Sequence, residues 1–319
     1  MPGCNRNELQ HNGFDRQGIQ LHVYATGVFE IRKATIMKNY SIQRDGINST
    51  ESNIRPMLML TSFWEHRELL RELVKRDIMN RYQGSFGGAC WSFAYPLFML
   101  GVYTLVFGTF FRMRWGGAGS TLEFSLVLFS GLIIFNFFSE CLNRAPGLVA
   151  GQPNYVKKVV FPLEIYPWVA VGSAFFNAVV SFTAWMIFYG ILHGAPPASL
   201  LLLPLVVAPL IPVMLGLGWI LSSIGVYVRD IAQVVGIATQ ALMFLSPVFF
   251  SLDAVPEKLR GLMLLNPLTF IMVEARRVML QGQLPDFSGL AVYLLAALIF
   301  SWAGFALFQR LRDGFSDVI

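Results

Sequence analysis

The chain is 319 residues long, 55% hydrophobic and only 13% charged, with a mean hydropathy of +0.56. A soluble domain carries roughly 25% charge, so water cannot be the main solvent of this molecule and a wholly soluble enzyme or binding module is excluded. Basic residues outnumber acidic ones, 24 against 19; in a chain built of apolar runs that excess reports orientation in a bilayer rather than affinity for nucleic acid.

Residues 1–55 are polar and mixed, and Asn5, Asn7, Asn12, Gly13, Gly18, Asn39, Asn48 and Asn53 interrupt any helical or strand period. Such a segment buries too little apolar surface to offset its ordering entropy, and we expect a disordered extension ahead of a transmembrane domain at 56–319. It lacks the apolar core of a signal peptide, and Met37 and Met57 offer alternative starts. From Thr61 to Tyr82 the pattern turns helical: Phe63, Leu69, Leu70, Leu73, Val74, Ile78 and Met79 recur at helical spacing. The spacing predicts an amphipathic helix on the membrane surface, with Arg71, Lys75, Arg76, Arg81 and Tyr82 toward the anionic lipid headgroups of the cytoplasmic leaflet. A soluble helix packed on a partner would read the same way.

Six apolar runs follow, at roughly 91–111, 123–142, 165–190, 200–227, 231–252 and 288–309, each long enough to cross a hydrocarbon core of ~30 Å. Gly84-Ser85-Phe86-Gly87-Gly88 supplies a tight entry to the first, and His193-Gly194-Ala195-Pro196-Pro197 the turn between the third and fourth. With six spans, ten cations lie on one side: Arg71, Lys75, Arg76, Arg81, Arg144, Lys157, Lys158, Arg229, Arg310 and Arg312. Six lie on the other: Arg112, Arg114, Lys258, Arg260, Arg276 and Arg277. The richer side is cytoplasmic by the positive-inside rule, which puts both termini inside.

Between the fifth and sixth runs, Pro256–Asn266 and Pro267–Gln281 read as two short helices, with Asn266 as N-cap and Pro267 at the first helical position. The thirteen uncharged residues from Gly261 to Val273 reach only about 20 Å, so the pair is expected to be re-entrant or interfacial rather than a seventh span. The fold class is therefore an all-α integral membrane protein: six transmembrane helices, an N-terminal interface helix, and a re-entrant helical pair between spans five and six.

Candidate chemistry is sparse. No G-x-x-x-x-G-K-[ST] loop occurs, so any ATP that drives this chain is bound by another. His11, His22, His66 and His193 are scattered without metal-ligand spacing, and Cys4, Cys90 and Cys141 read as packing residues. No ionisable side chain falls mid-span, which argues against a proton-driven carrier and against a membrane-embedded glycosyltransferase. Trp91, Tyr95, Phe98 and Tyr103 on the first span serve as interface anchors or core packing, or else line a lumen where their faces stack on sugar rings. Val156-Lys157-Lys158-Val159-Val160-Phe161-Pro162 joins charge to an apolar anchor and suits either docking into a partner's groove or a surface-lying linker.

Three segments together carry a resemblance: Arg76-Asp77-Ile78-Met79-Asn80-Arg81-Tyr82-Gln83-Gly84-Ser85, Asn154-Tyr155-Val156-Lys157-Lys158-Val159-Val160-Phe161-Pro162-Leu163-Glu164, and Asn266-Pro267. The chain over about 57–319 resembles the permease subunits of type-2 ABC exporters for cell-surface polysaccharides of the O-antigen and teichoic-acid type. The resemblance implies a homodimeric channel in the bacterial inner membrane. It also implies two separate ATPase subunits that use ATP and Mg while this chain binds no cofactor, and a lipid-linked polysaccharide as substrate. It assigns the ATPase-coupling loop to about Gln152–Pro162 (Asn154, Tyr155, Lys157, Lys158, Phe161 and Pro162), and an outer gate to Pro256–Gln281 (Pro256, Asn266, Pro267 and Arg276). The alternative within transport is a type-2 exporter of a small drug or lipid, whose cleft would be narrow and hydrophobic rather than wide and aromatic.

Overall fold

The structure, a computed structural model, describes residues 56–82, 90–110, 121–157 and 161–319; the expected N-terminal extension lies outside them. The described residues are all helix, turn and loop, with no strand among them. Among the described residues, four helical stretches are long and apolar enough to cross a membrane: Thr121–Arg144, Leu163–His193, Ala198–Tyr227 and Phe287–Val318.

Helices α1 (Pro56–Glu65) and α2 (Arg67–Tyr82) take the place of the single surface helix expected at 61–82. They part at His66, whose Nδ1 lies 2.9 Å from the Ser62 carbonyl, a side-chain bond that competes with the helical ladder. Leu70 and Leu73 are buried while Arg71, Lys75 and Arg76 are exposed, so α2 presents the expected two faces. Helix α3 (Cys90–Tyr103) passes into a π-helical turn at Thr104–Phe110, and Thr104 donates to Ser125 at 2.7 Å.

Helix α4 (Thr121–Arg144) is buried along most of its length. After the short helices α5 (Gly147–Ala150) and α6 (Pro153–Lys157), α7 (Tyr166–His193) returns beside it. Two indoles fix the depth of this packing without leaving a polar group unpaired: Trp185 donates to the Leu126 carbonyl at 3.1 Å, and Trp219 to that of Glu164 at 3.0 Å.

The fourth apolar run is broken. Helix α8 (Leu203–Val207) and α9 (Leu210–Tyr227) part at Ala208-Pro209, because proline lacks the donor and crowds the preceding turn. Helix α9 packs closely on α13 (Phe287–Leu311) through small residues: a Cβ on Gly304 would stand 2.6 Å from the Gly216 carbonyl oxygen. Without water to drive association in a bilayer, such close backbone approach is what binds helices.

Helix α10 (Ile231–Leu245) stops earlier than the run 231–252 suggests. Ser246 precedes Pro247 and is held extended, φ −103°, ψ 150°, as the residue before proline must be. At 15 residues the helix is about 22 Å long, short of the ~30 Å core. Helices α11 (Glu257–Leu264) and α12 (Pro267–Met279) then form the expected short pair. The Asn266 side chain accepts from Leu268 N at 2.9 Å, with Pro267 following, as the Asn-Pro pattern predicts. The chain ends in α14 (Phe315–Val318). Ile187, Ile191, Val292, Leu295 and Ile299 stand exposed on helices of bilayer length, where lipid would cover them.

Candidate functional site

Four places carry the polar and geometric features from which function can be argued. The first is an ion-pair network at the Arg144 end of α4. Arg144 donates to both oxygens of Asp77 at 2.7 and 2.8 Å and to Ser173 Oγ at 3.2 Å. Arg81 pairs with Glu140 at 2.6 Å, and Asn177 donates to the same carboxylate at 2.8 and 3.1 Å. Ser173 donates to Asp77 in turn. Two acids and two bases thus tie α2, α4 and α7 together with no net charge. Burial raises the affinity of Asp77 for a proton, but the Ser173 hydrogen bond and the guanidinium groups of Arg144 and Arg81 outweigh it and hold the carboxyl below its ordinary range.

The second is an open groove of about 460 Å³ between α4 and α10, lined in part by Phe135, Ser139, Asn143, Gln233, Gln240 and Met243. Ser139 and Asn143 share a helical strip with the exposed Asn136, and Gln233, Gly236, Gln240 and Met243 recur at i, i+3, i+7 and i+10. Side-chain amides facing hydrocarbon would cost several kcal/mol each. In an apolar helix bundle this strip therefore needs water, a polar chain or another protein surface against it. Between and beyond the amides on α10, Val234, Ile237, Phe244 and Leu245 are more than half exposed, and Ile237 also lines the groove.

The third is the connection after α4. Tyr155 on α6 packs tilted against Phe161 at 4.8 Å, and Phe161 against Tyr166 at 5.5 Å. Phe161 and Pro162 are buried, while Asn154 is exposed. The apolar anchor of this segment is thus folded into the protein, and the outward surface is that of α6.

The fourth is the turn where α10 meets α12. Arg276, 5% exposed, donates to the carbonyls of Pro247, Val248 at 2.9 Å and Val127 at 3.4 Å. Gly131 makes room for it: a Cβ there would lie 2.5 Å from Nη2 of Arg276. Asn266 donates to the Leu245 carbonyl at 3.3 Å and to Ser246 Oγ at 2.8 Å while capping α12. Non-helical backbone within a membrane protein must be satisfied by the protein itself, and these two side chains do that for residues 245–248. Glu274 accepts from Arg277 and from the backbone N–H of Asp286, at 2.9 and 2.8 Å. Among the described residues, no group of three His, Cys, Asp or Glu side chains is placed to hold a metal ion.

The family model for ABC-2 type transporters matches residues 68–280, a segment that takes in the network, the groove and the α10–α12 turn. The chain belongs to the ABC-2 type transporter family. This ABC-2 permease is 28% identical to the O-antigen export system permease protein RfbA of Myxococcus xanthus over 264 residues, 82% of this chain and 99% of the relative. It is 23% identical to an RfbA of Klebsiella pneumoniae over 256 residues, 79% and 95% of the two chains. With the polysialic acid transport protein KpsM of Escherichia coli it shares 22% over 258 residues, 79% and 97%. It is thus a multi-pass membrane permease subunit, a transport component whose family works with ATPase partners.

The residues singled out from the permease's sequence fare differently. Arg71, Lys75 and Arg76 stand exposed on α2, whereas Arg81 is engaged with Glu140. The side chains of Tyr82, Trp91, Tyr95 and Lys157, and all of Lys158, lie outside the described residues. Phe98 is exposed and Tyr103 packs edge-on against Phe249 at 5.9 Å; neither lines the groove. Pro256 is exposed at the start of α11, Asn266 and Arg276 are buried, and Pro267 opens α12. Cys141 is buried with its thiol toward the Ala170 carbonyl at 3.8 Å. The network and the groove escape a reading of charge at span ends. Their trace in the sequence is the acid-before-base pair Glu140 and Arg144 at i, i+4 and the recurrence of amides and hydroxyls at 136, 139 and 143 and at 233 and 240.

Proposed function

We propose that this chain is the membrane subunit of an ATP-driven exporter that passes lipid-linked cell-surface polysaccharide outward across the bacterial inner membrane. The observation that carries the reading is the strip of amides and hydroxyls in the groove between α4 and α10. A polymer of hydroxyls can exchange hydrogen bonds along such a strip without tight binding at any one point, while its C–H faces meet Phe135, Ile237 and Met243 of the same groove. Relatives named for O-antigen export and polysialic acid transport support the same substrate class.

In this reading residues 56–319 are the transmembrane domain, residues 1–55 an extension to it, and α3 and α10 count as the first and fifth of six spans. Two copies meet so that each contributes one groove to a shared conduit, and both termini face the cytoplasm. The paired helices α1 and α2 lie on the inner surface. Two ATPase subunits dock from that side against α6, and they alone use ATP and Mg. The pair α11 and α12, pinned to the end of α10, borders the exit; Pro256 and Arg276 mark its two ends. The aromatic lining expected on the first span is proposed for Trp91 and Tyr95 only, since Phe98 and Tyr103 stand away from the groove.

The test is a double substitution, Asn143→Leu with Gln240→Leu, in cells that depend on this chain for surface glycan. The expected outcome is a fall in surface polysaccharide of about tenfold, a loss of transport free energy near 1.4 kcal/mol, with the permease still in the membrane and still retaining its ATPase. Full-length surface polysaccharide in a strain lacking the chain would end the proposal.

A further inference from the structure

The last eight residues of the chain are not a loose end. Arg312 donates to the Glu164 carboxylate at 2.8 Å and to the Phe161 carbonyl at 3.1 Å, and its side chain is 18% exposed against 9% for that of Glu164. Just before it, the Leu311 carbonyl accepts from the Tyr227 hydroxyl at 3.0 Å, which joins the end of α13 to the end of α9. Just after it, Phe315 is 1% exposed, edge-on to Phe308 at 5.5 Å and tilted against Tyr227 at 6.0 Å. Helix α14 then reaches α6. From the other side, Trp219 of α9 holds the Glu164 backbone carbonyl, so this residue is gripped at both its side chain and its main chain.

We propose that Arg312–Ile319 is a brace that ties Phe161–Glu164, just ahead of α7, to the ends of α9 and α13, with Arg312 as its positioning residue. The inference rests on the reading of α6 as the ATPase contact. Along the chain a push on α6 passes back into α5, which packs on α9, and forward into α7. Through the brace it also reaches the end of α13, whose packing on α9 runs through Gly216 and Gly304. A partly buried guanidinium with two acceptors suits a brace because its bonds are directional and a partner left unpaired is costly, so the contact moves as a unit.

The test uses the full permease with its ATPase, reconstituted in lipid vesicles. Arg312→Gln should leave membrane level and ATPase retention unchanged and let ATP hydrolysis continue, while glycan moved per ATP falls about tenfold. Arg312→Lys, which keeps the charge but not the two-acceptor geometry, should fall between. Glu164→Gln should act through the same contact, so that the double variant is no worse than Arg312→Gln alone. Wild-type transport per ATP in Arg312→Gln would overturn the brace, as would strictly additive losses in the double variant. Tyr155→Ala separates the two readings: if it leaves ATPase retention and stimulation untouched, the α6 contact is wrong. If it abolishes them while Arg312→Gln is silent, only the brace is wrong. Hydrogen exchange of the wild-type complex decides between them even if a variant fails to insert. Residues 153–157 and 311–319 should change protection together when a non-hydrolysable nucleotide binds the ATPase, and independent responses refute the inference.

Discussion

Helix α4 meets arginine near both ends, and the two sites hold their cations by opposite chemistry. At the Arg144 end, Arg81 and Arg144 sit among carboxylates from two helices, and all four charged side chains keep 22–32% of their surface. Toward the Thr121 end, Arg276 is enclosed and bound to main-chain carbonyls of α4 and of the α10 turn. The first site is a set of exchangeable pairs in reach of solvent, and each pair is worth little more than a surface ion pair. The second satisfies backbone that has no other recourse, so the cation is part of the fold. The first site is a joint between helices and the second a fixed post.

The comparison is broken most severely at Arg276. Arg276→Met removes the cation and leaves buried carbonyls without a donor, each costing about 1–3 kcal/mol. We expect a total of about 3 kcal/mol or more from the three carbonyls, seen as a large fall in the detergent unfolding midpoint. Gly131→Val should reproduce part of it, about 1–3 kcal/mol for overpacking, because its side chain would occupy the guanidinium's place. An Arg276→Met protein as stable as wild type would remove the distinction between post and joint.

A smaller effect is expected at the joint. Asp77→Asn leaves Arg144 with a neutral partner in a half-solvated site, and hydrogen bonds to charged groups are worth about 1.5–3 kcal/mol when well buried, less here. The global unfolding midpoint should shift little while α2 loosens from α7. Spin labels on Arg71→Cys and Thr183→Cys would report this as a broadened distance distribution. Arg81→Gln and Glu140→Gln, singly and together, should show a coupling energy of about 0.5–1 kcal/mol. Unchanged distances in Asp77→Asn would mean that Arg81, Leu70 and Leu73 hold α2 without Asp77.

How far each region can be read from the sequence follows from the physics that forms it. Helices α4, α7, α9 and α13 are announced by length and apolarity, which a bilayer imposes on any chain that crosses it. The Asn266 cap and the Pro267 start are local chemistry, fixed within three residues, and so are legible. Helix α10 is shorter than its apolar run because such a run says nothing of where Ser246-Pro247 ends the helical ladder. Arg276 counts in the sequence as one of six cations on the poorer side. Its role depends on the Pro247 and Val248 carbonyls and on the gap at Gly131, nearly 150 residues away along the chain. The network is likewise tertiary: Asp77 and Ser173 are 96 residues apart. Single-sequence spacing cannot bring such pairs together, although it can note amides and hydroxyls that recur on one face of an apolar helix.

The smallest effect concerns pH, and its sign follows from Asp77. Burial alone would raise its proton affinity, but the bonds from Ser173, Arg144 and Arg81 lower it on balance. A carboxyl whose folded value is depressed contributes stability that is fully present above its unfolded value, about 3.9, and is lost as pH falls through the folded value. The joint should therefore hold unchanged from pH 7 down to about 5, since both states of Asp77 are ionised there and no proton is taken up on release. Weakening should begin as pH falls through the ordinary carboxylate value, about 3.9, and grow toward the depressed folded value; it should be absent in Asp77→Asn, where nothing titrates at that position. The same spin-label pair read at pH 7, 5 and 3.5 measures it. A distance distribution that broadens already between pH 7 and 5 would assign the joint to a group other than Asp77.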